Sequence, residues 1–354
     1  MQKKEFELGE LLKVDASPER VEELMEWVEI DIPGMSKEVK RHLLKQLVDM
    51  SNLEYGLRAT ATRITDQLIE ELMEDSIDTH VHGGSDPFER RQFEDDIAID
   101  CTKAKMKAVV IKTWYTPSAS RNALVQKIVD KWAEDHGMRP VQVFGGITLN
   151  HSVGGLNPDA VIKCLGFPRF KYVWMPMADS YYHQLIVFHR KDKGIKYLTE
   201  DGKPVPELKE ILRIIADNDL VLASGHYAYR ETSVLMEEAK KLGVKRMEVL
   251  HPTLIHSKHT LSEMKELANE GIKINLMGIA SVNIRFVEGF RYLLRLVKEL
   301  NDYMIWGSDS GQIQNPTSVE GQRWMIRVLL AYGITKEEII KIFKTNPARH
   351  LGIN

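Results

Sequence analysis

The stretch SIDTHVHGGSDP, residues 76–87, sets His80 and His82 two positions apart, behind Asp78 and ahead of a Gly-Gly pair. Along an extended strand, residues i and i+2 point to the same face. His80 and His82 would then offer two imidazoles to one cation, with Val81 turned away. Imidazole nitrogen combined with carboxylate oxygen suits Zn²⁺, and also Mn²⁺, Fe²⁺ or Co²⁺. Two ligands do not complete a site, so the rest must come from elsewhere in the chain. Other chemistry-bearing residues follow short apolar runs: Lys112 after KAVVI, His226 after LVLASG, His251 after RMEVL, and Asp309 after YMIWGS. A metal among them would lower the pKa of a bound water and polarise a substrate carbonyl. Asp309 beside that water would act as base and then as acid, with His226 or His251 assisting at the carbonyl. The competing reading of Asp309 is a cap for the Ser- and Gly-rich segment after it.

Such a set needs elements that aim distant residues at one place. Eight candidate strands occur, at 76–81, 107–112, 141–146, 171–176, 220–225, 246–251, 272–277 and 303–308. Their starts are mostly roughly 26–35 residues apart, about one βα unit. Their apolar character is continuous rather than alternating, as in strands buried on both faces. Eight such units followed by a terminal helix, TKEEIIKIFK, favour an α/β fold of the (β/α)8 TIM-barrel type over an open doubly wound sheet. Active sites of that barrel lie at the carboxyl ends of the strands, where the histidines and Asp309 cluster. Residues 1–75 differ: apolar residues at helical spacing, with Ser17-Pro18 as a start signal and IPGMSKE as a break, predict an N-terminal helical extension of about three helices. The barrel would then span 76–354. It carries an insertion at about 180–205, in which LIVFHR and IKYL around Asp192–Gly194 read as a β-hairpin, either a lid or surface decoration.

HxH after strand one, His after strands five and six, and Asp after strand eight resemble the ligand order of the amidohydrolase superfamily of metal-dependent hydrolases. His80, His82, His226, His251 and Asp309 match that order, and TNPARHLGI resembles the superfamily's NPA-x-x-LG ending. KAVVIKTWYTP, GGITLNHSVGGLNP, VWMPMAD and GSDSGQ further resemble a poorly characterised amidohydrolase-like branch. The resemblance covers residues 76–354. It implies the barrel, one or two divalent metals with zinc first, and hydrolysis of an amide, cyclic amide, ester or lactone. A minority of the superfamily carries out deamination, decarboxylation or isomerisation, so a mononuclear decarboxylase or deaminase is the alternative. A non-catalytic binding or scaffold barrel is the alternative from another class.

One departure stands out. Binuclear members place a carboxylated lysine or a glutamate on strand four, but that strand here leads into Met175-Pro176-Met177-Ala178-Asp179. Lys112, at the end of strand two, is the candidate bridge in its place. A lysine buried there would have a depressed pKa, which favours the neutral amine and its reaction with CO₂. As a plain ammonium it would bind a substrate carboxylate, or snorkel as a structural residue. His151 in the Gly-rich LNHSVGGLN loop, Asp179 and Tyr227 are candidate substrate contacts. Asp78 shares the predicted interior face of strand one and would orient a ligand by a hydrogen bond. His256 and His259 in TLIHSKHT, after strand six, would either line the mouth or, as the preferred reading, lie at the surface.

The composition fits a globular chain: 354 residues, 43% hydrophobic, 28% charged. A net charge of −3 with no basic block argues against nucleic acid as the main partner. No apolar run reaches membrane-spanning length, and no signal-peptide core follows the charged start. Cys101 and Cys164 form neither a disulfide framework nor a CxxC knuckle. The expectation is a cytoplasmic protein acting on a small molecule, with a homo-oligomer open.

Overall fold

Short runs rich in Val, Ile and Leu form eight parallel strands, each hydrogen-bonded to the next in chain order from first to last. In this computed structural model the described residues are 64–191, 193–277 and 289–353, with 36–38 and 41. They give α1 (Asp66–Met73), β1 (Ile77–His82), α2 (Glu94–Lys103), β2 (Ala108–Lys112), α3 (Ala119–Asp135), β3 (Gln142–Thr148), α4 (Pro158–Cys164), β4 (Phe170–Trp174) and α5 (Tyr181–Ile186). There follow α6 (Pro206–Asp217), β5 (Val221–Ala223), α7 (Tyr229–Lys241), β6 (Arg246–Leu250), α8 (Leu261–Asn269), β7 (Lys273–Met277), α9 (Gly289–Leu300), β8 (Met304–Gly307), α10 (Ser318–Ala331), α11 (Lys336–Ile340) and α12 (Asn346–Leu351). The ring closes just past the end of β8. The His82 N–H donates to Ser310 O and the Asp309 N–H to His80 O, each at 2.8 Å. This is a (β/α)8 barrel, and all eight expected strands are present within a residue or two of their expected ends. Among the described residues no helix is long and apolar enough to cross a membrane.

Alternation along the strands separates two apolar layers. Ala108, Val110, Tyr172, Trp174, Val221 and Ala223 fill the barrel interior. Val109, Ile111, Val143, Val173, Leu222 and Val249 face outward against the helices. Lys112 continues the inward set of β2, which buries it completely. β1 departs from strict alternation. Its register with β2 runs Ile77↔Ala108 and Asp78↔Val109, then Val81↔Ile111 and His82↔Lys112. One extra residue on β1 makes a β-bulge, so Thr79 and His80 together stand opposite Val110. The bulge corrects the expectation for Asp78, which is fully buried but faces outward with Val109. It accepts hydrogen bonds from the His80 N–H (3.0 Å), the Ser308 N–H (2.9 Å) and the Ser318 hydroxyl (2.5 Å). Asp78 thus holds the backbones of β1 and the β8 end together and touches no imidazole.

Deeper in the barrel lies a buried polar cluster. Glu248 of β6 accepts from the Tyr172 hydroxyl and the Asn275 amide, both at 3.1 Å, and pairs with His350 Nε2 of α12 at 2.9 Å. Removing one partner of a buried pair strands the others, which costs about 3–5 kcal/mol. Glu248→Ala is therefore expected to lower unfolding stability by that amount in urea melts. A loss under about 1 kcal/mol would show that the cluster relaxes without cost.

Of the expected N-terminal helical extension, residues 1–35, 39–40 and 42–63 lie outside the described residues. The helix α1 docks on the barrel through Ile69, Leu72 and Met73, and through the Arg323–Glu70 ion pair to α10. The expected hairpin at LIVFHR and IKYL is not formed. Ser180 accepts from the His183 N–H and starts helix α5 over Tyr181–Ile186. Within the described part of the insertion, pairing is confined to isolated bridges, Ser180↔Ile195 parallel and Leu198↔Pro204 antiparallel. The capping hydroxyl overrode the strand-like apolar pattern.

Candidate metal centre

The bulge in β1 and the hydrogen bonds that close the ring bring three donor atoms to one point. His80 Nε2 and His82 Nε2 are 3.3 Å apart. Asp309 Oδ1 lies 3.4 Å from the first and 3.3 Å from the second. Donors on a tetrahedral ion with bonds of about 2.0–2.1 Å stand about 3.3–3.4 Å apart. The triangle therefore has the size of one face of such a site. Burial holds both imidazoles below their ordinary pKa, helped at His80 by the neighbouring Lys112 charge and opposed at His82 by Asp309. Neutral imidazole is the ligating form. These residues fit a divalent metal.

Backbone geometry supports the placement. Asp309 (φ 51°) and His251 (φ 32°) both occupy the left-handed region, which costs a non-glycine residue about 1–3 kcal/mol. Gly311 (φ 128°) lies so close to His82 that a Cβ there would meet the His82 carbonyl at 2.1 Å. Gly225 (φ 72°) lets the chain pass Pro176, whose carbonyl accepts from the His226 N–H at 3.0 Å.

Lys112 Nζ lies 3.4 Å from His80 Nε2, which sets it at the edge of the triangle. Burial pushes its pKa down to about 7, against the pull of Asp309 and Glu248. Arg90, anchored by Asp86, reaches within 3.5 Å of His82 Nδ1. A guanidinium only donates, and an imidazole ligating through Nε2 carries its proton on Nδ1. The approach is therefore a contact at the limit of hydrogen bonding rather than a bond that sets the tautomer. A cavity of about 350 Å³ runs along the loop carrying Asp86, Phe88 and Arg90.

A second group of donors comprises His183, His226 and His256, each offering a nitrogen within 4.8 Å of the others. His183 Nδ1 and His226 Nδ1 are 2.7 Å apart. His251 belongs to neither group. Its ring stands between them, with centroids 5.7 Å from His80 and 4.8 Å from His226. Trp114 walls both groups, its ring edge-on to His82 and to His226.

The expected residues thus divide. His80, His82, Asp309 and Lys112 converge, while His226 stands in the second group and His251 between the two. His151 is exposed, and its N–H donates to Asp179 Oδ2 at 2.8 Å, so this pair ties the β3 and β4 loops together. Tyr227 is fully buried outside the barrel interior and donates to Ile195 O at 2.8 Å, which makes it an anchor of the insertion rather than part of the mouth. The surface reading of His256 and His259 is corrected: His256 is half-buried and His259 buried. His183 was missed because it lies just ahead of LIVFHR, the run read as a hairpin strand, and was given no role there. Ser180 three residues earlier is the cap signal that could have found it.

A family model described as a family of unknown function, DUF6282, matches residues 75–275, more than half of the chain. The chain belongs to this family. The match covers β1 to the middle of β7 and stops before Asp309. No curated protein matches the chain. Among solved structures, this DUF6282 member resembles an amidohydrolase from Pseudomonas aeruginosa at 13% identity and a TM-score of 0.52, covering 80% of this chain and 97% of that one. It also resembles a mutant organophosphorus hydrolase from Deinococcus radiodurans at 13% identity and a TM-score of 0.50, covering 79% and 94%. At these identities the likeness is one of fold: the (β/α)8 barrel is the one those hydrolases use.

Proposed function

We propose that this DUF6282 protein is a metal-dependent hydrolase of a small molecule, with its reaction centre at His80, His82 and Asp309. The observation that carries this reading is the donor triangle with 3.3–3.4 Å edges at the mouth of the barrel. A divalent ion there, zinc first, would supply Lewis acidity at a carbonyl and lower the pKa of water. His80 and His82 would hold it as neutral imidazoles. Asp309 keeps 21% of its side chain exposed, so its carboxylate can take a proton from the attacking water and return it to the leaving group. His251, beside His80, is placed to donate to a developing oxyanion. The bond cleaved is an amide, cyclic amide, ester or lactone, and His151 and Asp179 contact the substrate at the rim.

Lys112 supports the same centre as a carboxylated side chain. Intact-mass measurement is expected to show one added CO₂, which acid treatment releases. Lys112→Met should lower metal affinity or kcat about 10–100-fold. An unmodified lysine with full activity in Lys112→Met would remove it from the centre. The function as a whole is tested by screening amides and lactones with the zinc-loaded chain. Turnover that chelation stops and zinc restores is the expected result. A zinc-loaded chain that releases CO₂, or ammonia without forming a new carboxylate, would point to the decarboxylase or deaminase.

A further inference from the structure

The second histidine group takes no part in the reaction proposed above, and its construction is its own. His183 rides on the insertion helix α5, His226 follows β5, and His256 lies in the loop between β6 and α8. One hydroxyl joins the first two: Ser180 Oγ donates to His226 O at 2.6 Å and accepts from the His183 N–H at 3.1 Å. It sets the two rings parallel within 13°, with centroids 4.9 Å apart. His256 completes the group, its ring centroid 3.9 Å from His226 and 5.2 Å from His183. Three segments distant in sequence thus deliver three imidazoles to one spot.

A stack of ordinary core histidines would satisfy its buried nitrogens. His226 does not: it is 2% exposed, and its Nε2 has no hydrogen-bond partner. Such an orphan costs about 1–3 kcal/mol, a cost that a ligand can recover. The 2.7 Å contact between the two Nδ1 atoms is a hydrogen bond, the N–H of one neutral ring donating to the lone pair of the other, which leaves Nε2 as the free nitrogen of His226. The group contains no carboxylate and shares no residue with His80, His82 and Asp309.

We propose that His183, His226 and His256 form a second, separate transition-metal site, whose ion clamps the insertion helix and the β6–α8 loop to the barrel mouth. Three imidazoles without a carboxylate favour Zn²⁺, Cu²⁺ or Ni²⁺ over Mn²⁺ and Mg²⁺, whereas the aspartate-containing triangle accepts the harder ions more readily. The two sites therefore differ in metal preference. The assignment does not depend on the reaction proposed for the first site.

The test uses the full chain, stripped by chelation and reloaded with Zn²⁺. Native mass spectrometry counts the ions, and trypsin probes the insertion at Arg190, Lys191 and Lys193, all exposed. The wild-type chain is expected to bind two ions. His183→Gln and His256→Gln should each bind one. With free Zn²⁺ at ten times the dissociation constant, cleavage of the insertion in the wild-type chain should slow about tenfold, and in these variants it should not slow. His82→Gln should lose the other ion and keep the protection. Two variants on different segments guard against misfolding of either, with circular dichroism as the check. Two ions retained in both variants, or wild-type cleavage indifferent to Zn²⁺, would overturn the clamp. A wild-type chain that binds a single ion, kept in His82→Gln and in Asp309→Asn but lost in His183→Gln, would sustain the clamp and remove the proposed reaction centre.

Discussion

Asp309→Asn is expected to lower kcat by about 10²–10⁴-fold, the usual contribution of a positioned acid–base group, while most of the metal is retained. Asparagine keeps an oxygen where Oδ1 meets His80 Nε2 and His82 Nε2, so the donor triangle persists. It has no carboxylate to take up a proton. The His80 carbonyl accepting from the Asp309 N–H also survives the substitution, so the backbone of the closing strand should stay in place. The measurement is steady-state kinetics beside metal content on the same sample. Full turnover in Asp309→Asn would reduce Asp309 to a ligand or a cap. Loss of metal in parallel with turnover would make it chiefly a ligand.

Emptying the first site should have the next largest effect. His82→Gln removes one of three donors, and activity is expected to fall to background at all but very high zinc. Chelation of the wild-type chain should do the same and be reversed by Zn²⁺, Co²⁺ or Mn²⁺. The ion also contributes stability, since it binds the folded chain and not the unfolded one. At free ion about a thousand times the dissociation constant, that linkage is worth about 4 kcal/mol. A thermal melt of chelated against loaded protein should show it as a rise on the order of 10 °C. Identical melts with and without zinc would contradict both metal sites.

Much of the first site was legible because it depends on strand ends. Short apolar runs spaced by one βα unit determine eight strands, and the barrel aims the ends of all of them at one mouth. His80, His82 and Asp309 could therefore be grouped with no knowledge of any loop. Even there the local reasoning was incomplete: period-two alternation put Asp78 beside the histidines, and a one-residue bulge turned it outward. The second site was not legible. His183 and His256 lie on a short helix and a loop, and their approach to His226 depends on the Ser180 hydroxyl and on non-local packing that has no sequence period. Glu248 and His350 form another such pair, 102 residues apart and joined only because the last helix covers the barrel beneath β6.

What the sequence by itself determined is the eightfold repeat of strand and helix, and with it the residues delivered to the mouth. Hydrophobic periodicity is a local property, and strand ends inherit their place from it. Only the tertiary structure decided which of the delivered side chains meet: His226 turns toward His183 and His256 rather than His80, His251 stands between the groups, and Tyr227 anchors the insertion. Those choices rest on bulges, caps and ring contacts a few ångströms across, set by packing between segments far apart in the chain.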